Sequence, residues 1–293
     1  MSRFDPGLPD DRVNVSGTNP IAEAGLLVAG LVAVVVALAV VSSVAMEWLV
    51  PRLPTTLEVS VFGGGWLPSL GSDDDEEEES GDPRQQALQT LADRLGQHWP
   101  ENPYELKLRL WDEPSPNAFA LPGGWIGVTS GLLDQVASEN ELAFVLGHEI
   151  GHFRNRDHLK GLGRGLALGI VLSALGVSGV GAAADLAGLA GGLAQRSFDR
   201  EQEGLADEFG LAVVAAEYGH VAGASDFFRR LPDPGALLGE ELGAYLSTHP
   251  VSEERIEELA ALAEARGFVT EGSLQPVPEA MTRSEPKESE AGR

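Results

Sequence analysis

The stretch "VLGHEIGHFRNRDH", residues 145–158, holds three of the chain's six histidines, and within it His148 and His152 stand four residues apart with Glu149 directly after the first. On a helix, residues i and i+4 share one face, so two neutral imidazoles at this spacing can grip a single Zn²⁺. The ion lowers the pKa of a water and polarises a carbonyl. Glu149 is placed to take the proton from that water and return it to a leaving amine. The bland alternative is a pair of surface histidines near a stray acid. Phe144, Leu146, Ile150 and Phe153 surround the motif and speak against it, because polar groups on an apolar helix need partners.

His-Glu-x-x-His is the metallopeptidase spacing. Two imidazoles and a water leave a tetrahedral site one ligand short. Some fifty residues on, "SFDREQEGLADEFGLAVVAAEYG" has a helical apolar pattern with Glu203 and Asp207 four apart on one face. Glu203 is a candidate third ligand, and Asp207 a candidate to orient a ligand histidine through its other ring nitrogen. Spacing alone leaves Asp199, Glu201 and Glu208 open as well. Elements must hold these groups together. Ser138, with Glu141 three residues later, forms a capping box that starts the helix carrying the motif. "QQALQTLADRLGQHW" has helical spacing, "ELKLRLW" alternates as a strand, and "NAFALPGGWIGVTSGLL" reads as strand, Pro-Gly-Gly turn, strand. The expected fold is mainly α with a small β-sheet, globular over 84–268.

The remaining segments say where that domain sits. Residues 1–20 read as a disordered tail. Residues 24–46 carry no charge over 23 positions, a helix of about 34 Å that can cross a bilayer core, so 21–50 is expected to be a single transmembrane helix. Arg3 and Arg12 before it and Arg52 after it favour a cytoplasmic N-terminus and a catalytic domain outside the cytoplasm, at the cell membrane. Gly25, Ala29, Ala33 and Ala37 give one small helix face; self-association through it is possible, though abundant alanine explains it more simply. Residues 51–83, with seven consecutive acids from Asp73 to Glu79, read as a flexible linker, and 269–293 as a disordered tail. The formal net charge of −25 excludes a nucleic-acid partner, which needs a cationic footprint. It reflects either a salt-adapted surface or an ordinary domain with an acidic linker and tail, which explain part of the excess. The absence of cysteine removes disulfides, thiolate nucleophiles and Cys-based metal sites. A second apolar run, 165–184, cannot be a single crossing if His148 and Glu203 share an ion, since they would face opposite sides. It reads as a buried helical pair or a re-entrant element.

Four blocks, in order, resemble the HtpX-like and CAAX-prenyl-protease family of membrane-associated zinc metallopeptidases: "NAFALPGG" with "WIGVTSGLL", "GHEIGH", "DREQEGLAD" and "STHPVSEERIEEL". The resemblance covers roughly 100–260 and implies a zincin-like α+β domain holding one Zn²⁺ per chain. It makes His148, His152 and Glu203 the ligands, Glu149 the base and acid, and Asp207 the residue behind a ligand. By the same resemblance His249 and Arg255 contact substrate, steady an oxyanion or gate the metal. Asp199 stands where serine is common in the family, and Leu205 where an acid is common. The implied activity is membrane-anchored endoproteolysis of unfolded or damaged proteins, with the peptide extended along the strand Asn117, Ala118, Phe119, Ala120. The rival is a membrane-anchored, chaperone-like binding protein whose metal site is structural or blocked, His249 being the candidate fourth ligand. His158 reads as a solvated histidine, and His98 and His220 as structural or exposed.

Overall fold

The computed structural model describes residues 19–63, 82–163, 198–231 and 249–282. The acid run Asp73–Glu79, the apolar run 165–184, most of the N-terminal tail and everything past 282 lie outside them. The described chain is mostly helical with one three-stranded sheet.

Helix α1, Pro20–Leu49, begins where the Asn19 side chain accepts the Ile21 N–H and Pro20 occupies the first turn. It is long and apolar enough to cross a membrane. Its apolar side chains, Leu26, Leu27, Val34, Val40 and Val44 among them, are exposed. A helix apolar on all sides and unburied by its own protein has the character of a lipid-facing one. A single 3₁₀ turn, Val50–Arg52, leads into α2, Thr55–Phe62. The expected flexible linker therefore begins with ordered structure. The reason is Glu58, buried among Tyr104, Gly123, Arg156 and His158, a set of partners that the local sequence does not reveal.

Asp82 caps α3, Pro83–Gly96, which packs Leu88, Leu91 and Leu95 inward. The sheet follows: β1 (Lys107–Trp111), β2 (Ala118–Leu121) and β3 (Trp125–Thr129), in the order β1-β3-β2. β1 runs parallel to β3 with Lys107 opposite Trp125, and β2 runs antiparallel to it with Ala118 opposite Val128. Gly123 and Gly124, at φ 87° and 93°, make the β2–β3 turn in a region open to glycine. Short α4 (Ser130–Gln135) leads to α5 (Glu139–Asn155), which is buried along nearly its whole length. α6 (Arg200–Tyr218), α7 (Asp226–Arg230) and α8 (Glu253–Ala265) complete the domain.

The disordered tail expected from 269 does not start there. The Glu139 N–H donates to the Gln275 carbonyl, the Gln275 N–H donates to Asn140 Oδ1, and Met281 is buried in the core that α3 lines. Two seated apolar residues, Val277 and Met281, and a few backbone bonds hold a segment whose polar composition suggests otherwise.

Candidate metal centre

Ser138 accepts the Glu141 N–H and starts α5, but Glu141 closes only half of the expected box: its carboxylate accepts the Ala137 N–H and pairs with Arg230. Asp199 starts α6 with a full box, reciprocated by Gln202. This gives the departure from serine at 199 a physical role, since aspartate caps equally well. The two helices cross closely because small residues line the contact. A Cβ on Gly151 would come 2.8 Å from Ala206 Cα, and one on Gly147 would come 3.2 Å from Gly210 Cα. That approach lays one face of α6 against the histidine face of α5.

There His148, His152, Glu203 and His249 each offer a ligand atom, all within 4.8 Å of one another and all buried. His152 Nε2 lies 3.1 Å from His148 Nε2 and 3.5 Å from Glu203 Oε1. His249 Nδ1 lies 3.2 Å from His148 Nε2 and 3.0 Å from Glu203 Oε1. The outward nitrogens are held by acids: His148 Nδ1 is 2.8 Å from Asp207 Oδ1, and His152 Nδ1 is 3.1 Å from Asp157 Oδ2. In the neutral imidazole that a metal would bind, an N–H on each Nδ1 leaves the Nε2 lone pair facing the cluster. Arg255 binds both α6 acids, donating to the two Asp207 oxygens at 2.8 and 2.7 Å and pairing with Glu203 Oε2 at 2.5 Å. Burial raises the Glu203 carboxyl, yet the His249, His148 and His152 imidazoles hold it well below its usual range. For His152, burial opposes protonation but Asp157, Glu203 and Glu149 raise the ring to about 10, whereas burial dominates and lowers His148 and His249. Such a pocket of imidazoles and carboxylate has the donor set of a zinc-like dication.

Glu149 is fully buried, and neither of its oxygens makes a well-aligned hydrogen bond among the described residues. His249 Nε2 stands 3.3 Å from Oε1. Burial lifts the carboxyl to about 7, with the imidazole charges of His152 and His148 and the Ala120 N–H opposing and Glu203 assisting. The Ala120 contact ties the acid to β2, which is an edge strand. The Thr129 N–H donates to the Asn117 carbonyl. By antiparallel alternation the backbone groups of Ala118 and Ala120 therefore point to the open edge. A cleft lined by Phe198, Gly204, Pro250, Ser252 and Glu258 reaches Glu203, Asp207 and Arg255.

His148, Glu149, His152, Glu203, Asp207, His249 and Arg255 thus meet, and of the strand only Ala120 touches the group, Phe119 packing against Trp111 instead. Arg255 does so through the Glu203 and Asp207 carboxylates, at the wall of the cleft. Asp199, Glu201 and Glu208 are not part of the cluster. Asp157 was missed although it lies inside the stretch that carries the motif. Arg156 ends α5 in the left-handed conformation, φ 57°, and this turns Asp157 back against His152. Gln202 Nε2 donates to the other Asp157 oxygen at 2.9 Å, and Phe198 stacks on the His152 ring. The expectation of a solvated His158 is corrected: it is buried, with Nε2 2.7 Å from Glu58 Oε1. His98 is half-buried against Glu217.

Comparison with known proteins agrees with this geometry. The family model "Peptidase family M48" matches residues 81–263. The chain is 37% identical over 150 residues to the mitochondrial metalloendopeptidase OMA1 of Arabidopsis thaliana, covering 51% of this chain and 30% of that protein. It is 30% identical to the metalloprotease LoiP of Escherichia coli (strain K12) over 62% of this chain and 71% of LoiP. It is also 30% identical to a protease HtpX homolog of Pelotomaculum thermopropionicum, over 54% of this chain and 69% of that protein. The chain thus spans less than a third of the plant protein's length but over two thirds of the two bacterial ones. With a matching family model across more than half its length, the chain belongs to peptidase family M48.

Proposed function

We propose that this chain is a membrane-anchored zinc metalloendopeptidase that cuts unfolded or damaged polypeptides. The observation that carries the reading is Glu149: a carboxylate buried without a well-aligned partner beside three imidazoles and a second carboxylate. Leaving such a group unsatisfied costs stability, and a structural metal site has no use for it. His148, His152 and Glu203 would hold one Zn²⁺, which supplies Lewis acidity and a more acidic water. Glu149 takes a proton at its carboxylate and delivers it to the leaving amine. Asp207 and Asp157 fix the tautomers of the two ligand imidazoles, and Arg255 keeps the α6 carboxylates in register. The open edge of β2 pairs with an extended peptide backbone, which selects for unfolded segments over particular side chains. Residues 24–46 of α1 anchor the chain in the bilayer in a single pass, with the domain outside the cytoplasm.

The rival draws on one observation. His249 sits where a fourth ligand belongs, and all four donors of the cluster are buried, as in a closed structural site. Metal stoichiometry and cleavage of an unfolded test protein, measured on one preparation, separate the two readings. One zinc per chain with cleavage supports the peptidase, and one zinc without cleavage supports the binding protein. Glu149→Gln should keep the zinc and lose the cleavage; undiminished cleavage removes the assigned base.

A further inference from the structure

Helix α2 is inside out for a surface helix. Its single charge, Glu58, points into the protein, while the outer face presents Thr56, Leu57, Ser60 and Val61. Leu57 and Val61 are more than half exposed and one turn apart. A helix of a water-facing domain turns its charges outward, so this face asks for a cover. The cover follows from what adjoins it. α2 starts six residues after the end of α1, whose exposed apolar side chains continue as far as Trp48 and Leu49. At the junction Arg52 lies over the exposed Trp48 ring at 4.1 Å, a pairing of the kind that settles at a membrane–water boundary.

The other side of α2 is fixed to the domain. Glu58 accepts from Tyr104 Oη at 2.8 Å and from the Gly123 N–H at 3.1 Å, and sits 2.7 Å from His158 Nε2. Arg156 donates to the Val50 carbonyl at 2.8 Å, to the Leu53 carbonyl, and to Glu58. Lys160 pairs with Glu47 on the last turn of α1. Met46 and Val50 share an apolar cluster with Leu121, Leu159 and Leu162.

From these contacts we propose that α2 lies on the bilayer surface with Leu57 and Val61 in the lipid boundary. Through the Glu58–Arg156 clamp it docks the catalytic domain onto the membrane at a fixed height. The partner is the lipid interface itself, and the inference rests on the membrane reading of α1. The apolar face of an interfacial helix sits about 5–10 Å into the headgroup–acyl boundary. A quencher at that depth should therefore find it.

The chain has no cysteine, so single thiols can carry a fluorophore in the full-length protein, reconstituted into phosphatidylcholine vesicles. Dyes at Leu57→Cys and Val61→Cys should be quenched by a nitroxide near the lipid headgroup and shielded from aqueous iodide. A dye at Glu264→Cys, on the exposed side of α8, should show the reverse. Iodide quenching at 57 and 61 equal to that at 264 overturns the proposal, as does protection from both quenchers, which would mean that protein covers the face. A dye at Val34→Cys reports on α1 separately. Failure of a deep-chain nitroxide to quench it would sink the membrane reading, whereas quenching there without quenching at 57 sinks this inference alone.

Discussion

At the scale of single residues, the centre trades stability for chemistry. Glu149 has a folded pKa of about 7 against an ordinary carboxylate value of 4.5. The metal-free protein thus binds an extra proton between these values, and its stability falls as pH rises from about 4.5 to 7. Glu149→Gln should accordingly stabilise the metal-free protein at pH 8 by up to about 3 kcal/mol and hardly change it at pH 4. Urea denaturation of both proteins, stripped of metal, at the two pH values measures this. Equal midpoints at pH 8 would show that the carboxylate is relieved in a way the geometry does not reveal. Asp157 makes the second residue-scale prediction. Asp157→Ala leaves the His152 Nδ1 without its acceptor, and zinc affinity should drop about 10–100-fold by chelator competition. Three of these residues were legible in the sequence because His148, Glu149 and His152 need only one helical turn to meet. Glu203 was one acid among several until a second helix chose it. Asp157 was invisible because its role depends on a left-handed residue at the end of α5, which no local pattern announced.

Helix against helix, the decisive feature is the small-residue seam between α5 and α6. Gly151→Ala puts a methyl 2.8 Å from Ala206 Cα. The helices must part, at a cost of about 1–3 kcal/mol, and Glu203 must draw away from His152, so zinc affinity should fall with stability. Gly204→Ala on the same helix as Glu203 meets nothing within 4 Å and should be neutral or stabilising by about 0.5–1 kcal/mol. Thermal unfolding and zinc titration of the pair check both. The clamp on α2 gives a pH signature of its own. Burial raises Glu58, but His158, the Gly123 N–H and Tyr104 bring it down to about 2 from 4.5. A depressed pKa means that its contribution is whole above about pH 4.5 and disappears as pH falls toward 2. Glu58→Gln should therefore cost about 1–3 kcal/mol at pH 7, with wild type and variant converging near pH 2 in chemical denaturation. The main helices and the hairpin could be read from apolar spacing and the Pro-Gly-Gly turn. α2 could not, because the one residue that orders it is a charge whose partners lie 46 to 100 positions away.

For the molecule as a whole, the contacts around Arg156 and Lys160 make α1, the proposed anchor, and the catalytic domain one mechanical piece. A Gly-Ser insertion of about ten residues after Leu49, combined with Glu47→Gln and Met46→Ala, leaves Val50, Leu53 and Glu58 on the domain while freeing α1. Cleavage of a soluble unfolded protein should be unchanged. Cleavage of polypeptides tethered to the bilayer should lose its dependence on spacer length, which a spacer series in proteoliposomes would measure. Composition marked the apolar helix and the globular stretch in the chain but carried no sign of the joint between them. α1 itself is apolar all the way round, so in the proposed bilayer setting lipid would set how deep it sits and give it no preferred heading. The compass bearing of the active centre over the membrane plane, and hence which way an arriving chain must lie to enter β2, would then be left to the joint: Arg156 on its two carbonyls, Lys160 on Glu47, and Met46 and Val50 in their apolar seat.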